Sequence, residues 1–125
     1  MKIYLAGPWR TKAAMPTLAA QIEAAGHTIT ERWWEQDGSK YPTYPSNEDD
    51  EGLTDIAIDD AIGVMRADAL IVINTEKSEG KAAEAGIALA LNKPIMLVGT
   101  RSMIFHYLPS VYPVASLEEA LEKLS

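Results

Sequence analysis

Short apolar segments alternate with helical stretches along the whole chain, and that alternation constrains the fold more than any other feature. The clearest segment is Ala67–Asn74 (ADALIVIN), an apolar and β-branched run between Asp68 and Asn74. Lys2–Ala6 (KIYLA), His27–Trp34 (HTITERWW), Pro94–Val98 (PIMLV) and Val111–Val114 are the other expected strands. Between the first two, Met15, Leu18, Ala19, Ile22 and Ala25 recur at helical spacing, with Pro16 suited to a first turn and Gly26 to a stop. Further helices are expected over Leu53–Arg66, over Gly80–Asn92 and after Ser116, where Glu119 completes a capping box. A helical turn is expected around IFHYLP, between the last two strands. Strands alternating with helices specify an α/β fold with a parallel sheet. The reading is one domain over residues 1–125: a three-layer sandwich with a five-stranded sheet in the flavodoxin-like order 2-1-3-4-5.

Such folds bind ligands beyond the carboxyl ends of the strands, where the strand order reverses. That edge collects Gly7–Arg10, Trp33-Trp34, Asn74–Gly80 and the chain from Gly99 onward. It also takes in residues 35–51, a stretch without periodicity that carries two Tyr-Pro pairs, Tyr41-Pro42 and Tyr44-Pro45. Loops of this length are lids in some proteins and disordered in others. The acidic run Glu48–Glu51 favours the start of the helix that follows it.

Several function classes drop out. The net charge is −7, and Lys and Arg do not cluster, so no nucleic-acid polymer is expected as a partner. No run approaches the ~18 apolar residues that span a bilayer, so no membrane is expected either. The apolar part of MKIYLAGP is too short for a signal peptide, which fits a cytoplasmic setting. There is no Cys, hence no disulfide or thiolate chemistry. The chain has neither a GxGxxG nor a Walker A motif. His27 and His106 stand far apart without ligand partners at metal spacing, so no metal is expected. Carboxylate chemistry remains.

The segment GKAAEAGIALALNKP is small and apolar from Ala82 to Leu91 except for Glu84. Helical spacing puts Glu84 on the face of Ile87, Ala88 and Leu91. A carboxylate there either snorkels to water near the helix start or is partly desolvated and needs hydrogen bonds. On the preceding helix, Asp55, Asp59 and Arg66 share a polar face, whereas Asp60 lies at the edge of the apolar stripe. Tyr4, central in the first strand, needs a partner for its hydroxyl when buried, and a carboxylate is a good one. Asp68 suits a turn. Arg10 follows the Gly7-Pro8 turn, and Ser78 and Gly80 open the helix that carries Glu84. A hydroxyl, a flexible backbone and a helix N-terminus together suit an anion.

Three stretches, YLAGPWR, D-(x7)-AD before the third strand, and S-x-G-x-x-x-E-x-G-x-A-x-A-x-x-K-P, resemble the nucleoside 2-deoxyribosyltransferase superfamily, which includes 2'-deoxynucleoside 5'-monophosphate N-glycosidases. The resemblance runs from Lys2 to about Val98, with a weaker tail to Ser116. It implies Glu84 as the nucleophile on the anomeric carbon and Tyr4 as the residue that orients it. Asp60 becomes the second catalytic carboxylate, donating a proton to the departing base or holding sugar hydroxyls. Arg10 and Ser78 become phosphate-binding residues, with the Gly80 backbone and Gly7 beside them. Ser110 matches a serine donated across a homodimer interface. Pro8 departs from the pattern, standing where the monophosphate glycosidases carry another phosphate-contacting serine. Trp9, Trp33 and Trp34 either stack on a base or pack in the core. The implied reaction is hydrolysis of a (2'-deoxy)nucleoside 5'-monophosphate. Base exchange on free deoxynucleosides and non-catalytic nucleotide sensing are the alternatives.

Overall fold

Five strands pair in parallel in the order β2-β1-β3-β4-β5, as the alternation of elements requires. They are β1 (Lys2–Ala6), β2 (Thr28–Ile29), β3 (Ala69–Asn74), β4 (Ile95–Gly99) and β5 (Val111–Val114). The computed structural model describes residues 1–36 and 50–125, and the side chains of residues 52–125 within the second of these spans. Residues 37–49, with both Tyr-Pro pairs, lie outside the described residues.

Helices α1 (Met15–Ala24), α2 (Asp50–Arg66), α3 (Glu79–Ala90) and α4 (Leu117–Leu124) flank the sheet. The central strands β1 and β3 are buried on both faces, with Ile3, Tyr4, Leu5, Leu70 and Ile71 fully inaccessible. This is the burial that turns continuous apolar runs into parallel strands. Register pairs Tyr4 with Leu70 and Ala6 with Val72, so β1 ends at the carboxyl edge opposite Val72 and β3 runs on to Asn74. Asp68 fixes the entry to β3: its carboxylate accepts the Lys2 amide at 2.8 Å, and its own amide donates to the Lys2 carbonyl at 2.7 Å.

One expected element differs. The second strand pairs only over Thr28–Ile29, and Trp33–Glu35 forms a 3-10 turn. The β-branched and aromatic run favours strand, but Trp33 is buried and its Nε1 donates to the Leu5 carbonyl at 2.7 Å. That tertiary bond bends the chain over the end of β1 and outweighs strand propensity. A 3-10 segment, Trp9–Ala14, precedes α1, which begins at Met15 with Pro16 in its first turn, as expected. Gly26 follows α1 at φ +95°, a backbone conformation that a side chain disfavours. The helical turn near the C-terminus is present as Ile104–Tyr107. No helix among the described residues is long and apolar enough to cross a membrane.

Candidate active site

Tyr4, Glu84 and Asp60 come from three different elements and meet at the carboxyl edge of the sheet. β1 places the Tyr4 ring in the core, fully buried, with its hydroxyl directed at α3. That hydroxyl donates to Glu84 Oε2. The buried side of α3 is Lys81, Ala85 and Ala88. Glu84 lies on the flank of this stripe, half-buried, and not on a face shared with Leu91, which is half exposed. Gly63 of α2 makes the approach possible. A Cβ there would lie 2.7 Å from Glu31 Cβ and 3.0 Å from a Tyr4 ring carbon, so only glycine lets α2 seat against that ring.

α2 also delivers Asp60. Asp55 and Asp59 are exposed, whereas Asp60 is partly buried and its Oδ1 accepts from Gln36 Nε2 at 3.0 Å. Asp60, Glu84, Ser78, Gly80, Gly7, Trp9 and Trp33 line one cavity of about 220 Å³, together with Lys81. Gly7 is buried in its wall.

The electrostatics follow from burial. Burial pushes the Glu84 carboxyl up to about 7; the Tyr4 hydrogen bond pulls it down, and the Asp60 charge pushes it further up. The phenol therefore offsets burial only in part. Asp60 is raised by burial, drawn back by the Gln36 amide, and raised again by Asp59. The Tyr4 phenol is pushed far above its ordinary range by burial, then by Glu84 and Asp60, so it stays a donor. Glu31, which the sequence did not single out, is raised by burial and by Asp60, Asp59 and Glu35. The site concentrates negative charge against a buried donor, an arrangement suited to a reacting centre that becomes positive.

Ser78 caps α3, and its Oγ accepts the Lys81 amide at 3.3 Å, which leaves its own hydroxyl hydrogen to donate. Ser78 and Gly80, at the start of this helix, both line the cavity. Arg10 stands outside that lining. Its side chain is 85% exposed and makes a long 3.9 Å ion pair with Glu76. Trp9 and Trp33 sit with ring centroids 5.9 Å apart, and Trp34 packs edge-on against Trp33 at 5.8 Å. Trp34 is therefore core, while Trp9 and Trp33 form a wall of the cavity. Ser110 lies at the opposite edge of the sheet, where its carbonyl accepts the Ile95 amide at 2.9 Å. It does not meet the other candidates within its own chain.

The sequence reading missed Gln36 and Lys81. Nothing marked Gln36, which approaches Asp60 only because the 3-10 turn bends the chain. Lys81 did carry a signal: it precedes Ala85 and Ala88 by four and seven residues, the spacing of one buried face.

The family model described as "Nucleoside 2-deoxyribosyltransferase" matches residues 3–111. No curated protein matches the chain. Among solved structures, the CMP N-glycosidase BcmB of Clostridium botulinum is similar at 19% identity and TM-score 0.65, with 99% of this chain and 98% of that one covered. A 2-deoxyribosyltransferase from the psychrotolerant bacterium Bacillus psychrosaccharolyticus is similar at 20% identity and TM-score 0.65, covering 97% and 90%.

Proposed function

Since the chain belongs to the nucleoside 2-deoxyribosyltransferase family, an enzyme family that spans glycosidases and base-exchanging transferases, we propose that it hydrolyses the N-glycosidic bond of (2'-deoxy)nucleoside 5'-monophosphates. The observation that carries this reading is the hydrogen bond from buried Tyr4 to Glu84, in a cavity whose other end is the capped start of α3. One end suits a cationic sugar carbon, and the other suits a phosphate.

In this reading the Glu84 carboxylate attacks the anomeric carbon as the carbon–nitrogen bond breaks. The bonding pair leaves with the base, whose nitrogen takes a proton from solvent. Tyr4 holds the attacking carboxylate in place, its second oxygen free. Asp60, kept toward its ionised form by Gln36, accepts a sugar hydroxyl and stabilises the oxocarbenium-like transition state. Water then attacks the glycosyl ester, and Asp60 takes its proton as the sugar leaves Glu84. Trp9 and Trp33 offer a face for the base. Ser78 and the Gly80 backbone hold the phosphate, and Arg10 reaches it by leaving its weak, exposed pair with Glu76. No metal or organic cofactor takes part. The reading includes a cytoplasmic homodimer.

The test is a screen of ribo- and deoxynucleoside monophosphates for free-base release by chromatography, followed by the same assay on Arg10→Ala. Glu84→Ala is expected to abolish release. Arg10→Ala is expected to lower kcat/KM for monophosphates about tenfold or more and to leave free nucleosides nearly unchanged. Equal losses on both would remove the phosphate assignment. The exposed position of Arg10 favours one second reading, base exchange on unphosphorylated deoxynucleosides. A new nucleoside formed from a deoxynucleoside plus a different free base would establish it.

A further inference from the structure

The cavity around Glu84 ends at Ser78 and Lys81, and the same two residues begin a second cavity of about 330 Å³ on the other side of the α3 start. Its polar groups are donors. Lys81 is only 5% exposed. Its Nζ donates to Asn74 Oδ1 at 2.6 Å and to the Glu76 carbonyl at 2.5 Å. Both acceptors are neutral, and an ammonium has three hydrogens. One donor of a buried cation is left for a ligand.

His106 supplies another donor. Its ring is buried, and its Nδ1 lies 3.0 Å from the Ser102 amide, which can only donate. Nδ1 is therefore the acceptor, and the ring hydrogen sits on Nε2. Burial, Lys81 and Arg101 all lower the basicity of the ring, so it stays neutral. Among the described residues no buried side-chain nitrogen lacks a partner, so Nε2, with none, opens on the cavity that His106 lines. Ser102 Oγ accepts from Asn74 Nδ2 at 3.1 Å and keeps its own hydrogen. Lys77 adds a second cation at the rim. Opposed to these are two carboxylates: Glu79, also at the rim, and Glu76, which pairs only weakly with Arg10 at 3.9 Å. Val72, Ala85 and Met103 form an apolar floor, which strengthens any charge interaction above it.

We propose that this cavity receives the second phosphate of a nucleoside 5'-diphosphate whose first phosphate lies against Ser78 and Gly80, so that the substrates include nucleoside diphosphates. The proposal rests on the nucleotide reading of the Glu84 cavity. The bond changes are the same as for a monophosphate: the glycosidic bond breaks, water adds to the sugar, and both phosphates stay in place. Lys81 then serves both phosphates from the wall the two cavities share; burial disfavours its charge and Glu76 offsets this only in part, so a phosphate completes the compensation.

The experiment is calorimetric titration of the full chain with mono- and diphosphate pairs of the common nucleosides, repeated on Lys77→Ala and His106→Phe. For the best-bound base, the diphosphate is expected to bind about tenfold tighter than the monophosphate. Each variant is expected to remove most of that advantage and to leave monophosphate binding within about twofold. Lys77 is exposed, so its substitution leaves the core intact even where His106→Phe disturbs it. A diphosphate that binds no tighter than the monophosphate overturns the proposal, as does an equal loss on both ligands. Base release is scored separately. A diphosphate advantage without release would sink the glycosidase reading and keep the second cavity; release without the advantage would do the reverse.

Discussion

Glu84 sits between two opposing effects, and its chemistry follows from which one wins. Burial raises the carboxyl from 4.5 to about 7 against the pull of Tyr4. If the ionised form is the nucleophile, kcat/KM falls about tenfold per unit below pH 7 and is flat above it. Tyr4→Phe removes a bond that favours the carboxylate, so that acid limb moves to higher pH as the plateau drops. A limb that stays in place, measured over pH 5–9, would show that the phenol does not tune this group. The same balance bears on stability. The folded pKa lies above the unfolded one, so the protonated state stabilises the fold fully below about pH 4.5, and this is lost as pH rises through about 7. The loss is on the order of 3 kcal/mol. Glu84→Gln keeps an acceptor for Tyr4 and carries no charge. Its thermal midpoint is expected to exceed that of the parent by several degrees at pH 8 and to match it near pH 4. Glu84 was legible in the sequence because one acid in a run of small apolar residues is conspicuous. Its tuning was not, because depth of burial depends on how closely α2 and α3 pack.

That packing is a property of elements, and Gly63 controls it. Alanine there would push its methyl against the Glu31 Cβ and the Tyr4 ring, neither of which is the end of a flexible chain. Overpacking of this kind costs about 1–3 kcal/mol. Gly63→Ala is expected to lower the thermal midpoint and also to lower kcat, because the ring it displaces carries the hydroxyl that holds Glu84. Unchanged kcat in a destabilised Gly63→Ala protein would detach Tyr4 from catalysis. The sequence offered no sign of this, since a glycine inside a helix reads only as a weak point. Element existence was the legible part: β1, β3, β4 and β5 fall on apolar runs, and the strand order follows from parallel pairing with helical crossovers. The failure at β2 has the opposite cause. Trp33 and Trp34 favour strand locally, yet the bond from Trp33 to Leu5 decides their conformation from 28 residues away. That same bend brings Gln36 to Asp60 and shapes the cavity, so the misread element is also the one nearest the chemistry.

At the scale of the molecule, what the fold leaves uncovered argues for a second copy. α3 turns its Ala82, Ala83, Gly86 and Ala90 outward, and with Met103, Phe105 and Leu108 they form an apolar groove of about 650 Å³. Ile104 is 76% exposed and Tyr107 68%, on the turn beside it. Large aromatic and aliphatic side chains on an adjoining turn, next to a groove of small residues, are complementary shapes that a twofold axis can bring together. Ser110 adds a functional reason: it stands at the sheet edge away from its own cavity, so a role in binding substrate requires another chain. Charge works against the pair, because each copy carries −7. Screening weakens that repulsion, so association is expected to tighten between about 50 and 300 mM salt, where the Debye length shortens from roughly 14 to 6 Å. Sedimentation equilibrium is expected to give a dimer that Phe105→Glu or Gly86→Arg converts to a monomer, with the fold retained because both sites are on the surface. A parent chain that sediments as a monomer at every salt concentration would leave the groove to some other partner and remove Ser110 from the site.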